Sequence, residues 1–358
     1  MKRSLRLTLG AALHDWPVFE RNLRGRGEGG GHWTRIANRR DRIRVGPGGI
    51  GALCEGRWTS RLHGCDVFPT LGRRLMARAL EEWPLTFAER PIEARFAAPA
   101  RATPDVSFVI GHRGLERLPL LSVVLASIAA QADASVECLV VEQSESPVLR
   151  ERLPDWVRYL HTPAPARMPY SRAWAFNVGA RAAKAPVLAF HDNDMIVPRR
   201  YAAELATIHR RGSEIMNLKR FVFYLDQAAT RRVLAGGAIS GAPDKVIQNL
   251  EGGGSVGVDR DAFFDLGGFD ESFVGWGGED NEFWERAAER SVWPWGYLPL
   301  VHLHHAEQPE KSRRDRRTAA LLDERSRIPP GERARELRAR AFGRAEGPDP
   351  PYRAEGAA

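Results

Sequence analysis

The stretch APVLAFHDNDMIVP, residues 185–198, decides the reading of this chain. An apolar run from Pro186 to Phe190 is short, has no helical periodicity and stops at a cluster of polar residues, which is the signature of a buried strand. It runs straight into Asp192 and Asp194, two carboxylates one residue apart, with Pro198 closing the segment. In extended backbone, side chains at i and i+2 point the same way. Two carboxylates on one side of a strand's exposed end suit a hard divalent cation that also holds a diphosphate. The same pair is also common in surface loops, so the context must decide.

Upstream, the chain alternates strand and helix. Val106–Ile110 and Val136–Val141 are apolar strand runs, Leu118–Gln131 carries a helical pattern, and Ser171–Ala183 is a second helix with Ser171 as N-cap. This order predicts an α/β fold: a mostly parallel sheet covered by helices, with a binding crevice at the carboxyl ends of the strands. A last strand is expected near Trp293–Val301. Residues 1–100, with Gly-rich turns at 25–31 and 46–51 and an amphipathic helix near Leu71–Glu82, form an accessory region of unassigned role. A Pro/Ala-rich linker at 91–104 joins it to a main domain at 101–310. The charged, apolar-poor tail at 311–358 is expected to be helical in places or disordered.

Two further segments carry chemistry. In GGGSVGVDRDAFFDLGGFDESFVGWGGEDNEFWERA (252–287), the three consecutive glycines at 252–254 permit close backbone approach to a ligand, and Trp276 sits among glycines where its ring can stack on a sugar face. Glu279 and Asp280 then open a helix, whose N-terminal dipole favours carboxylates; helix capping by Asp280 is the plainer alternative. In YLPLVHLHHAEQ (297–308), a strand leads into His302, His304 and His305, which are either metal-ligating imidazoles or exposed loop histidines.

Bulk properties set the limits. The chain has 358 residues, 43% hydrophobic and 27% charged, with a net charge of +8 and few lysines, so arginine carries the positive charge. Such a bias fits base composition as well as it fits an anionic partner. Three cysteines argue against a disulfide framework, and Cys138 reads as a core residue. The basic start lacks the unbroken apolar stretch of a signal peptide, and no run reaches the ~20 apolar residues of a membrane span. The expectation is a cytoplasmic protein, with a peripheral position at the inner face of the membrane open to its basic N-terminal region. No aromatic–basic alternation marks a nucleic-acid reader.

Taken in order, these motifs resemble family 2-type glycosyltransferases of the GT-A fold, a Rossmann-like nucleotide-diphospho-sugar transferase fold. The resemblance lies in their galactosyltransferase-like branch, which includes β-1,4-galactosyltransferases and bacterial capsule and chondroitin polymerases. SFVIGHR (107–113), VVEQSE (140–145), PYSRAWAFNVGARAA (169–183), HDND (191–194) and GWGGED (275–280) resemble five family motifs across residues 105–306. The resemblance implies an inverting transfer of a hexose or N-acetylhexosamine from a UDP-sugar to a saccharide, lipid-linked or small-molecule acceptor, with Mn²⁺ or Mg²⁺ as cofactor.

It also implies roles. Asp194, His302 and His305 hold the metal, with His304 a bystander. Asp192 faces the ribose or the metal's water shell. Arg113, Glu142 and Gln143 line the uridine pocket, Arg172 approaches the diphosphate and Asn177 braces its helix against the sheet. Gly253, Gly254 and Trp276 pack around the donor sugar, Glu279 holds sugar hydroxyls and Asp280 is the general base. The chain departs from the family at Gly114, where a polar residue is common. It departs also at His302, where animal enzymes carry methionine, and at Asn281, which interrupts the acidic run. Competing expectations are a non-catalytic carbohydrate-binding relative and a nucleotidyltransferase, though IGHRGLERL (110–118) is a poor phosphate loop.

Overall fold

The computed structural model describes residues 42–45, 52–55, 65–66, 69–82, 85, 103–219, 221–248, 250, 252–293, 298–307 and 317–352. Most of the expected accessory region and of its linker lies outside them. So do the side chains of Cys54 and Cys65.

Strand order follows the alternation in the sequence. The strands are β1 (Arg42–Val45), β2 (Ala52–Glu55), β3 (Cys65–Asp66), β4 (Val106–His112), β5 (Val136–Ser144), β6 (Val157–Pro163) and β7 (Val187–His191). There follow β8 (Met195–Ile196), β9 (Ile215–Met216), β10 (Phe221–Tyr224), β11 (Lys245–Gln248), β12 (Ser255–Asp259), β13 (Val292–Trp293) and β14 (Leu300–His302). The helices are α1 (Pro69–Glu82), α2 (Leu118–Ala129), α3 (Arg172–Ala182), α4 (Tyr201–Arg210), α5 (Gln227–Leu234), α6 (Arg260–Asp265), α7 (Glu279–Ala287), α8 (Arg317–Arg325) and α9 (Pro330–Arg338).

A seven-stranded sheet runs β13-β9-β12-β7-β4-β5-β6, with β7, β4, β5 and β6 mutually parallel and β12 antiparallel to β7. Every residue of β4 is buried, as a strand covered on both faces must be. Its side chains alternate between two cores: Val106, Phe108 and Ile110 face one and Val109 the other. In β7, Val187 and Ala189 join the first core, Leu188 and Phe190 the second. Cys138 is fully buried in the first core, as expected. Helix α3 begins where expected, with the Ser171 hydroxyl accepting from the Trp174 N–H.

A second sheet, β3-β11-β10-β14-β8, stands beside the first. The chain passes between the two sheets through the turn Asp192-Asn193-Asp194, since β7 belongs to one and β8 to the other. The single strand expected at Trp293–Val301 is in fact two. Val292–Trp293 edges the first sheet and Leu300–His302 lies inside the second, because its neighbours β10 and β8 take both of its edges.

The charged tail does not stand apart from the body. Its helical part, α8 and α9, packs on α7 through buried ion pairs. Glu282, paired within its own helix with Arg286 at 2.6 Å, also receives Arg333 of α9 at 3.1 Å, and Asp270, in the turn before α7, receives Arg325 of α8 at 2.9 Å. Leu337 and Phe342 add apolar burial. Composition hides this packing because arginine charge normally signals solvent, whereas here it is matched by carboxylates inside the protein.

Asn177 accepts from the Phe269 N–H and donates to the Phe269 carbonyl and to Glu271, all at 2.8–2.9 Å. It therefore braces α3 against the 269–271 turn rather than against the sheet. Glu271 also receives the backbone N–H groups of Gly343 and Asp349, which ties residues 343–349 to the same point. Burial pushes the Glu271 carboxyl up to about 7, against the pull of these hydrogen bonds. A folded-state value raised above the ordinary 4.5 means stability is present at low pH and lost as pH climbs through about 7. Glu271→Gln, which cannot ionise, should flatten the fall in melting temperature across that window, measured by thermal denaturation in a pH series.

Candidate active site

The β8–β14 pairing sets His302 opposite Met195, and the Leu303 N–H donates to the Asp194 carbonyl. This register delivers His302 and His305 to Asp194. His305 Nε2 lies 3.1 Å from Asp194 Oδ2, and His302 Nε2 lies 3.6 Å from Oδ1. The latter is too long for a hydrogen bond, so Asp194 Oδ1 is buried with no hydrogen-bond partner, as is His302 Nδ1. Among the described residues these three side chains form the one group whose ligand atoms lie within 4.8 Å of one another. A buried carboxylate oxygen beside two imidazoles is a donor set that could hold a divalent cation.

Electrostatics agree with this use. Burial opposes ionisation of Asp194, but His302, His305 and Arg117 outweigh it and hold the carboxyl well below its usual range. Burial lowers His302, keeping its imidazole neutral with a lone pair to offer. Its ring stacks on Tyr224 at 4.2 Å, which fixes its plane. His304 is exposed and contributes its backbone N–H to Thr230, a bystander to the cluster.

The turn itself is clamped from below. His191, fully buried and driven down to about 4 by burial, bridges Ser255 Oγ and the Met195 carbonyl, each at 2.8 Å. Arg172, at the first position of α3, contacts Asp192 at 2.7 Å and Glu279 at 3.2 Å, while its guanidinium lies 4.5 Å from the Phe176 ring centroid. One guanidinium thus joins the carboxylate pair after β7 to the acidic start of α7.

That start is built by glycine. Gly275, Gly277 and Gly278 all have positive φ, 89–99°, and Gly278 caps α7 with no side-chain hydrogen bond. Asp280 therefore is not the cap that a plainer reading of the sequence allowed. Its carboxylate lies against Gly253, where an added Cβ would meet Oδ2 at 2.7 Å. Burial, then the neighbouring Asp280, raise Glu279 to about 7, with Arg172 pulling the other way, and Glu279 Oε2 is buried without a partner. Trp276, in the same glycine run, remains 37% exposed.

Residues 247–294, which contain Gly253, Gly254, Trp276 and the Glu279-Asp280 pair, match a family model described as the N-terminal domain of galactosyltransferase. Over these residues the chain is similar to galactosyltransferases. Among solved structures, one match is the catalytic domain of Drosophila beta1,4galactosyltransferase 7, in complex with xylobiose. It is 16% identical, with 62% of this chain and 79% of that chain covered and a TM-score of 0.38. No curated protein matches the chain.

The other expected site residues are placed as follows. Arg113 donates to the carbonyls of Met168 at 2.7 Å and Pro165 at 3.4 Å, strapping the loop before α3. Glu142 and Gln143, expected to contact uridine, are fully buried and turned inward. Glu142 accepts from the Tyr159 hydroxyl and the Val148 and Leu149 N–H groups, while Gln143 bonds both ends of the Ser171 backbone. A strand end inside the sheet spends such side chains on the adjoining loops.

Sequence reasoning missed Arg117, which contacts Asp194 at 3.2 Å and His305 at 3.0 Å. Its one signal is its place at the mouth of α2, four residues after Arg113. His112, which meets Asn193 at 2.9 Å, was also missed. The packing of Gly253 supplies a test. In Gly253→Ala the new methyl displaces the Asp280 carboxylate, the cheaper of the two parts to move. A misplacement of this size costs about 10²-fold in turnover. Steady-state assays should show that loss with an unchanged melting temperature.

Proposed function

We propose that the transferase moves a hexose or N-acetylhexosamine from a UDP-sugar to an acceptor hydroxyl, with inversion, using a divalent cation held by Asp194, His302 and His305. The observation that carries this reading is the continuous charged path from His305 and His302 through Asp194, along the turn to Asp192, and across Arg172 to Glu279 beside Asp280. It links the Asp194 cluster to the start of α7 through one turn and one guanidinium. A cation bound there would neutralise charge on the departing nucleotide diphosphate.

The chain's own groups do the rest. Asp280 takes the proton of the acceptor hydroxyl as it attacks the anomeric carbon, and the sugar–phosphate bond breaks on the opposite face. One base opposite one leaving group gives a single displacement, hence inversion. Glu279 holds sugar hydroxyls; with its carboxyl near neutrality it can donate or accept. Arg172 fixes the spacing of Asp192 and Glu279 and presents positive charge toward the donor side. Asp192, 30% exposed, faces the ribose, and Trp276 and Gly254 bound the sugar. Arg113 stands on the nucleoside side.

Acceptors of saccharide, lipid-linked or small-molecule type all fit this scheme. No described helix is long and apolar enough to cross a membrane. We place the enzyme in the cytoplasm, with a peripheral membrane position consistent with its +8 charge.

Asp280→Asn should keep donor affinity and fold while losing about 10²–10⁴-fold in turnover; near-normal transfer would remove Asp280 from the role. Asp194→Ala should abolish the metal-dependent part of UDP binding in calorimetry, with Mn²⁺-dependent UDP-sugar hydrolysis as the companion assay. Unchanged affinity would assign the cation elsewhere.

A further inference from the structure

His305 has one ring nitrogen with two incompatible neighbours. Its Nδ1 lies 3.0 Å from Arg117 Nη2 and 2.7 Å from the Ala306 carbonyl oxygen. A guanidinium nitrogen only donates and a carbonyl oxygen only accepts, so a neutral imidazole satisfies one of them at a time. The choice propagates to the opposite nitrogen. With the proton on Nδ1 and donated to Ala306, Nε2 presents a bare lone pair 3.1 Å from Asp194 Oδ2. Two lone pairs then face each other, an arrangement that a cation between them relieves. With the proton on Nε2, that nitrogen donates to Asp194, and Nδ1 accepts from Arg117.

Arg117 reinforces the second state, since its other terminal nitrogen lies 3.2 Å from the same Asp194 Oδ2. One guanidinium thus occupies both a carboxylate oxygen and a histidine of the cluster. It reaches them from a position that allows departure: the side chains of Arg117 and His305 are 24% and 21% exposed, against 6% for Asp194.

We infer that Arg117 is the internal counter-cation of the metal site. It holds His305 in the tautomer that cannot ligate, and metal binding expels it. This inference rests on the metal reading proposed above. The exchange is balanced: the imidazole stays neutral, its proton leaves Nε2 and one returns to Nδ1 through solvent. The guanidinium keeps its charge and turns outward. Arg117 is accordingly a positioning residue acting through His305 and Asp194. Released from them, it becomes available to an anionic group, so a nucleotide diphosphate and the metal should assist each other's binding.

The test uses the full chain with ¹⁵N-labelled histidine. In the metal-free protein, NMR should report His305 with its proton on Nε2. Arg117→Met, which removes the donor and keeps the stem, should move the proton to Nδ1. The same variant should bind Mn²⁺ alone about tenfold more tightly in calorimetry, with less of its affinity depending on added UDP. Wild-type protein gives an independent arm: saturation with diamagnetic Zn²⁺ should shift His305 to the Nδ1-protonated form without any substitution. An unchanged tautomer and an unchanged Mn²⁺ affinity in Arg117→Met would overturn the inference and leave the metal site standing. So would a Zn²⁺-loaded wild type whose His305 keeps its proton on Nε2. If neither protein binds Mn²⁺ or Zn²⁺, the metal reading falls and takes the inference with it.

Discussion

The turn Asp192-Asn193-Asp194 is the point where two β-sheets share one stretch of chain, and the site exists because both sheets grip it. On one side β7 pairs with β12, with His191 opposite Ser255. On the other, β8 pairs with β14, which carries His302. A turn anchored at both ends has little freedom to let its carboxylates drift, and preorganised charge is worth most when it need not reorganise during reaction. His191 completes the anchoring from beneath by hydrogen bonding across the turn to Met195. Burial keeps this ring neutral, so it stiffens the turn without adding charge to it.

Around that turn, charge is balanced by guanidinium groups. Arg172 lies between Asp192 and Glu279, and Arg117 between Asp194 and His305. Without them, three acidic side chains with little solvent would repel one another or take up protons. Their different surroundings set their different tasks. Arg172 packs beside Phe176 within α3 and serves as a strut, whereas Arg117 is partly exposed and engaged with two atoms that a cation would also claim. The first arrangement holds Asp192 and Glu279 at a set spacing; the second balances the charge of Asp194.

Support for the acidic helix comes from behind. Helix α7 opens with Glu279 and Asp280 toward the site and turns Glu282 and Arg286 inward, where the tail's Arg333 joins them. A buried network of this kind contributes little net stability for the cost of desolvating its charges, but losing one partner strands the others. The tail therefore acts as a brace on α7. Its second tie, from Gly343 and Asp349 to Glu271 and on to Asn177, reaches the helix that carries Arg172.

Local pattern determined a good part of this. The buried strands β4, β5 and β7, the Ser171 cap, the glycine-led start of α7 and the carboxylates at a strand's end were all legible, because each depends on neighbours within a few residues. The grouping of Asp194 with His302 and His305 came from family resemblance, since the residues alone left the histidines as either ligands or loop. Three things needed the tertiary structure. Whether 292–302 is one strand or two depends on which sheet edges are open, and no periodicity records that. Whether Glu142 and Gln143 face a ligand or a loop depends on what lies above the strand ends. Arg117 went unassigned because its partners lie 77 and 188 positions away. Short-range physics writes itself into adjacent residues, while a contact closed over such distances is chosen by packing alone.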